Sequence, residues 1–157
     1  MGRARRSATV ADAGSGGMME ADVSAAAWLF GVLGVVLAGI GVFFLGMRPA
    51  LLPEDLRFLG RSDAEVDQQL PQLRTWLRLV FMVLGGHALA FGILTVYVAA
   101  TGVREGRGSA VLAVAVAGAA SIGVMVAVNL VLRSAFRWAL AAVSLLWVAA
   151  IVAAVAV

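Results

Sequence analysis

The polar stretch Arg48–Arg78 reads RPALLPEDLRFLGRSDAEVDQQLPQLRTWLR, and it interrupts a chain of which 62% is hydrophobic. Five of the nine acidic residues and five of the twelve basic residues fall within it. The rest of the 157-residue chain contains four long apolar runs, at about residues 25–47, 77–100, 110–132 and 138–157. A helix of about 20 residues crosses a bilayer core of about 30 Å. We therefore predict an all-α integral membrane four-helix bundle.

The composition also limits the classes of partner and site. Only 13% of the residues are charged, and a soluble domain would not collect its apolar residues in such long runs. The basic residues are all arginine and lie scattered between the spans, with a net charge of +3, so no nucleic-acid partner is indicated. Because the chain has no cysteine, disulfides, thiolate metal sites and cysteine nucleophiles are excluded. The partner that the composition indicates is the lipid bilayer.

Two regions of different character divide the chain. Residues 1–24 are rich in Gly, Ala and charged residues and show no apolar periodicity, so we predict a disordered N-terminal tail. Residues 25–157 form the predicted membrane domain. Its first apolar run is longer than the apolar region of a signal peptide, so we expect it to remain as a helix.

The connection at residues 48–76 carries recognisable helix boundaries. Pro53, followed by two acidic residues, is typical of a first helical turn, and Gly60 is a natural end. Ser62–Glu65 matches a capping box that begins a second helix, and Pro71 should break the run that follows. The spacing of the leucines predicts two short amphipathic helices at the membrane surface. They either cover the end of the bundle or form a docking surface for a partner.

Small residues at helical spacing predict close helix packing in two spans. Such residues let neighbouring backbones approach within the bilayer, where van der Waals contact replaces the hydrophobic driving force. For span one we favour packing inside the bundle over homodimerisation. The residues are Gly31, Gly34, Ala38 and Gly41 in span one, and Ala119, Gly123 and Ala127 in span three.

The arginines near the spans predict the orientation. An even number of spans places both termini on one side, and the two connections at 48–78 and 133–137 share the other side with seven arginines. The opposite connection has only Arg104 and Arg107, so the positive-inside rule places both termini outside the cytoplasm. The seven are candidates for contacts with lipid phosphates or a partner: Arg48, Arg57, Arg61, Arg74, Arg78, Arg133 and Arg137. We also expect Arg133 or Arg137 to pair with acids of the long connection.

Two polar residues within predicted spans are candidates for a functional site. His87, the only histidine, could relay a proton, bind a metal or ligate a tetrapyrrole, because an ionisable group inside a bilayer is costly and usually faces the bundle interior or water. We favour a simpler interpretation, a neutral imidazole bonded to a neighbouring helix. A single histidine supplies neither a bis-His haem site nor a usual zinc site within one chain. Asn129 could cap or hydrogen-bond the end of span three.

No arrangement of residues typical of an enzyme is visible. The spans contain no carboxylate, and the chain shows no histidine cluster, nucleophile elbow or phosphate-binding glycine loop. We therefore expect a non-enzymatic protein with no metal site, and the sequence identifies no cofactor.

Two segments resemble a group of small four-span bacterial membrane proteins of unknown function. They are RPALLPEDLRFLGRS with the following RTWLRLVFMVLGGHALAFGILTVYVA, and VNLVLRSAFRW at the turn between spans three and four. The resemblance implies a bacterial inner-membrane setting and transfers no functional residues. Our leading hypothesis is an accessory or scaffolding subunit of a membrane complex, with a protein partner or a homo-oligomer. The alternative is a small carrier or cofactor-binding protein that uses His87.

Overall fold

A computed structural model describes residues 4–156, with side chains for Val23 and residues 25–156. These residues form α-helices and two five-residue π-helical segments, without a strand, so the all-α prediction is confirmed for this part of the chain. The π-helical segments are Ala99–Val103 and Ala119–Gly123. The α-helices are α1 (Ala4–Gly46), α2 (Pro53–Leu59), α3 (Asp63–Gln69), α4 (Leu73–Val98), α5 (Gly108–Gly118), α6 (Val124–Val131) and α7 (Arg137–Val155).

Four helical stretches are long and apolar enough to cross a membrane, as predicted. They are Ala25–Gly46, Leu73–Val103, Gly108–Val131 and Arg137–Val155. The second and third each contain a π-helical segment. The chain is therefore a small multi-pass membrane protein.

The first helix extends well before the first span. Because α1 begins at Ala4, it includes residues 4–24, for which the sequence analysis predicts a disordered tail. Residues 1–3 lie outside the described residues. This segment contains no proline, and it is continuous with a span that already supplies the helix nucleus, so residues can be added without a new nucleation cost.

The closest helix contact joins α1 to α4 through glycines. A Cβ atom added at Gly34 would lie 2.8 Å from the carbonyl oxygen of Gly92, and one at Gly85 would lie 2.8 Å from that of Gly41. A Cβ at Gly92 would also meet the backbone of Ala38. Gly34, Ala38 and Gly41, three residues of the predicted packing face of span one, thus lie in this contact. At the fourth predicted position, Gly31, an added Cβ meets nothing within 4 Å.

Span three packs through a different residue from those predicted. Gly118 lies against the indole of Trp147 in α7, whereas a Cβ at Gly123 would meet nothing within 4 Å. Ala119 and Ala127 are exposed. The packing prediction for these three residues is therefore wrong within this bundle. The π-helical segment accounts for the difference, because its i→i+5 hydrogen bonds reduce the rotation per residue and so shift the face that this part of span three presents.

The buried core lies towards the end of the bundle away from the long connection. Phe30 and Leu33 of α1 are almost fully buried, together with Val103 and Ile122. In the other half of span one, an open cavity is lined by Val36, Gly39, Ile40, Phe43 and Phe44. The bundle is therefore closely packed at one end and hollow at the end beside the connection.

The connection forms the two predicted short helices with the predicted boundaries. Gly60 ends α2 in the left-handed conformation, with φ 63°. At the start of α3, the backbone N–H of Ser62 donates to Glu65 Oε2 over 2.7 Å, and the Glu65 N–H donates to the Ser62 hydroxyl over 3.3 Å. Arg74 of α4 then bridges Asp63 and Asp67, with N–O distances of 2.5 and 2.6 Å. These ion pairs fix α3 to the start of span two.

Candidate functional site

The main cavity lies between α1, α4, α6 and α7, beside the long connection. Its volume is about 720 Å³, within the range of about 300–1,000 Å³ typical of ligand sites. Most of its lining is apolar, including Val36, Ile40, Phe43, Met125 and Val143. The polar lining residues are Arg48, Glu54, Asp55, Asn129 and Ser134. The cavity therefore combines a long apolar wall with a small set of polar and charged groups.

Arg48 is the cationic group of this cavity. Its side chain is only 12% exposed, and its guanidinium carbon lies 3.6 Å from the centre of the Phe81 ring, a cation–π contact. Nη1 donates to the carbonyl oxygen of Pro49 over 3.0 Å, and Nη2 lies 3.5 Å from Asp55 Oδ2. Burial lowers the pKa of Arg48, and the charges of Asp55 and Glu54 only partly oppose this. Of the five N–H donors of the guanidinium, most remain for a ligand.

Glu54 is a buried carboxylate held by the turn between α6 and α7. It is 6% exposed, Ser134 is 3% exposed, and the Ser134 hydroxyl donates to Glu54 Oε1 over 3.0 Å. Burial raises the pKa of Glu54, but hydrogen bonds from its own backbone N–H, the Ser134 hydroxyl and the Ala135 N–H outweigh this and lower it below the usual value. The nearby charge of Arg57 acts in the same direction. The ionised carboxylate thus fastens α2 to this turn.

Asp55 completes the charged end of the cavity and caps α2. Its Oδ2 accepts a hydrogen bond from the backbone N–H of Leu52 over 2.9 Å, which satisfies a free donor at the helix N-terminus. The same carboxylate lies beside Arg48 and is one-fifth exposed. Asp55 therefore holds a helix end while keeping an oxygen available to the cavity.

The predicted ion pairs between the turn arginines and the connection are absent among the described residues. Arg133 is exposed with a positive φ of 51°, and Arg137 Nη1 donates back to the Arg133 carbonyl over 3.0 Å. The Arg137 guanidinium also lies 5.6 Å from the centre of the Trp138 ring. The turn does contact the connection, but through Ser134, whose hydroxyl donates to the Glu54 carboxylate. The prediction that an arginine of the turn forms this contact was therefore wrong.

The two candidate polar residues of the spans are not brought together. Asn129 lines the cavity, and its Nδ2 donates to the Met125 carbonyl over 2.9 Å. This is the one hydrogen bond of the amide in the described part of the chain, which leaves Oδ1 for a ligand. His87 is exposed outside the cavity, with Nδ1 2.8 Å from the Val83 carbonyl of its own helix.

The outward position of His87 follows from the glycine interface. Gly85 faces α1, and two residues along an α-helix correspond to a rotation of about 200°. His87 therefore lies on the side of α4 turned away from α1, without the neighbouring-helix partner that we expected. Its Nδ1 contact, within one helix, needs no partner from elsewhere in the bundle.

The remaining arginines of the connection are on the surface. Arg57, Arg61 and Arg78 are exposed, and none of them forms a salt bridge with a described residue. The lipid or partner contacts predicted for them stay predictions. Within the same described part of the chain, no group of three or more His, Asp or Glu side chains could hold a metal ion.

The fold and cavity define a class of protein, a four-span helical membrane protein with a charged cavity beside its longest polar connection. Comparisons with protein-family models, curated proteins and solved structures find no match for this chain. The resemblance to small bacterial membrane proteins, and the bacterial setting that it implies, therefore stay predictions.

Proposed function

We propose that the chain is a small non-enzymatic membrane protein that binds a membrane amphiphile in the cavity. The observation that supports this is the two-part lining, with apolar residues along the spans and charged groups at one end. A hydrocarbon tail is matched by the first part and a polar headgroup by the second. This proposal belongs to the carrier or ligand-binding class. It differs from the alternative hypothesis of the sequence analysis in that the ligand binds in the cavity and not at His87.

The position of the polar groups supports a ligand that lies along the membrane normal. Arg48 follows the end of α1 at Gly46, and Ser134 precedes the start of α7 at Arg137. The charged end is thus level with the ends of the spans, where lipid headgroups lie. From Phe44 back to Val36 the lining covers about 12 Å of helix rise, less than half of a bilayer core of about 30 Å. A tail would remain within one leaflet.

A cavity-filling substitution tests the proposal. Gly39 lines the cavity, and a Cβ added there meets nothing within 4 Å, so Gly39→Leu should occupy the space without a clash. We expect the wild-type protein, purified in mild detergent, to show bound lipid in native mass spectrometry and Gly39→Leu to show much less. Gly86→Leu is the matched control, since Gly86 is equally open and does not line the cavity. Equal lipid binding by the two variants would contradict the proposal.

His87 provides a second control for the same experiment. Its side chain is exposed and bonded within its own helix. We expect His87→Ala to be expressed, folded and lipid-bound like the wild type. Loss of bound lipid in His87→Ala would contradict the proposal and indicate that the histidine is needed for binding.

The accessory or scaffolding role is a second candidate, and the fixed connection favours it. Glu54 and Arg74 hold the connection against the bundle, while Arg57, Arg61 and Phe58 are exposed on it. A preformed surface loses little entropy when a partner binds. Its test is the double variant Arg57→Glu/Arg61→Glu, which should release a co-purifying partner that Arg107→Glu, on the opposite connection, retains. A partner retained by both variants would argue against this surface.

We also propose that the charged end of the cavity faces the cytoplasm of a bacterial inner membrane. Seven arginines lie in the connections at that end, against two in the opposite connection. The positive-inside rule then places both termini outside the cytoplasm. The amphiphile would be drawn from the inner leaflet.

A further inference from the structure

We propose that the charged end of the cavity selects a zwitterionic phospholipid with a primary amine, its phosphate at Arg48 and its ammonium at Asp55. This inference rests on the proposed function and specifies the ligand. It follows from the charged groups that line the cavity, from the hydrogen bonds that they already form, and from the donors and acceptors that remain free.

The charges in the cavity favour a headgroup that carries both signs. One guanidinium and two carboxylates line it. An anionic headgroup would be attracted to Arg48 but would place a further negative charge beside Glu54 and Asp55. A purely cationic headgroup would place its positive charge beside that of Arg48. A zwitterion places each of its charges beside an opposite one and leaves the net charge unchanged. Like charges brought close together in a poorly solvated site are disfavoured.

Existing hydrogen bonds limit which groups are free to bind. Glu54 already accepts from Ser134 and lies 6% exposed, so it serves mainly to hold the connection. Arg48 and Asp55 are only loosely paired, at 3.5 Å, beyond an ordinary charged hydrogen bond. A phosphate beside the guanidinium and an ammonium beside the carboxylate would form a set of alternating charges. Charge complementarity therefore marks this pair as the recognition site.

The acceptors in the cavity favour a primary amine over a quaternary one. Asp55 and the Oδ1 of Asn129 accept hydrogen bonds, and a primary ammonium offers three N–H donors. A choline headgroup has none and would leave the Oδ1 atoms of Asp55 and Asn129 without a hydrogen bond. We therefore expect a phosphatidylethanolamine-type headgroup to bind better than a phosphatidylcholine type.

Competition between three lipids tests this assignment. Delipidated protein would be incubated with phosphatidylethanolamine, phosphatidylcholine and phosphatidylglycerol of identical acyl chains, and the bound lipid counted by native mass spectrometry. We expect roughly a tenfold preference for phosphatidylethanolamine over each competitor, the scale of one hydrogen bond to a charged group. Asp55→Asn and Arg48→Gln should each reduce the preference, and Arg104→Gln should keep it.

The outcomes separate the two proposals. Binding of phosphatidylglycerol or phosphatidylcholine as well as phosphatidylethanolamine would overturn the headgroup assignment but leave amphiphile binding intact. No retained lipid of any kind would overturn the proposed function itself. Arg48→Gln also removes the contact with Phe81 and could therefore fail to fold. In that case Asp55→Asn alone tests the headgroup assignment. Its amide oxygen can still accept from Leu52.

Discussion

The hydroxyl of Ser134 donates a 3.0 Å hydrogen bond to the carboxylate of Glu54, eighty residues earlier in the chain. The bond joins the turn between the last two spans to the connection between the first two. Both residues also line the cavity. The contact therefore joins two of the segments that surround the charged end of the cavity.

Ser134→Ala should destabilise the protein by about 1–3 kcal/mol, because it removes a buried hydrogen bond to a charged carboxylate. The loss should be visible as a lower unfolding midpoint in detergent. Ser109→Ala, at an exposed serine early in α5, is the matched control and should have little effect. Similar midpoints for the two variants would show that the contact contributes little to stability.

The connection should loosen in acid. The pKa of Glu54 in the folded protein lies below its ordinary value of 4.5, so its contribution to stability is complete above that value and is lost as the pH falls through the lower folded pKa. We expect hydrogen exchange in α2 to increase below about pH 4.5 in the wild type. Glu54→Gln, already uncharged, should show a weaker pH dependence in α2. An unchanged profile in that variant would assign the effect to another group.

Gly92→Ala should weaken the contact between α1 and α4 by about 1–3 kcal/mol or more, as expected for overpacking. The new Cβ would lie 2.6 Å from the Gly34 carbonyl oxygen, and backbone has little freedom to move aside. Gly86→Ala, where nothing lies within 4 Å, should retain wild-type stability. Thermal unfolding of both variants in the same detergent makes the comparison. Equal melting temperatures would contradict the close approach.

Gly118 and Trp147 should show strong energetic coupling. Gly118→Ala places a Cβ against the indole of Trp147, whose Nε1 has no hydrogen-bond partner among the described residues. Trp147→Leu should relieve this clash, so the double variant should be more stable than the sum of the single effects by about 0.5–3 kcal/mol. Gly123→Ala is the open-site control. Additive effects in unfolding measurements would refute the contact.

The orientation is open to direct labelling, because the native chain has no cysteine. We expect Ala64→Cys, on the exposed surface of α3, to be protected from a membrane-impermeant maleimide added to intact cells. Ser109→Cys, next to the opposite connection, should react. Lysed cells provide the control for reactivity at both sites. The reverse pattern would place the long connection outside.

The spans and the ends of the short helices could be predicted because local chemistry determines them. Apolar length identifies a span, and Gly60 and Ser62 end and begin helices through bonds within a few residues. The partners of Gly34 and Gly41 were missed, although Gly85 and Gly92 repeat their seven-residue spacing.

Features that depend on helix rotation or on distant segments were not predictable in this way. The π-helical segment at Ala119–Gly123 changes which residues of span three face the other helices. Its composition does not predict a π-helical turn. The partner of Glu54 is a serine in a short turn, a residue type that is common in turns for other reasons. The cavity likewise arises from three-dimensional packing and has no local sequence pattern.

The glycine interface and the Ser134 contact become available at different times during synthesis. The glycine contacts between α1 and α4 involve no residue beyond Val96, so the first two spans can pair as a hairpin while the ribosome is still translating the third. The hydrogen bond to Glu54 must wait until residue 134 has been made. Throughout that interval Glu54 lacks its final partner, so we expect α2 to be held less firmly in the nascent chain than in the finished protein.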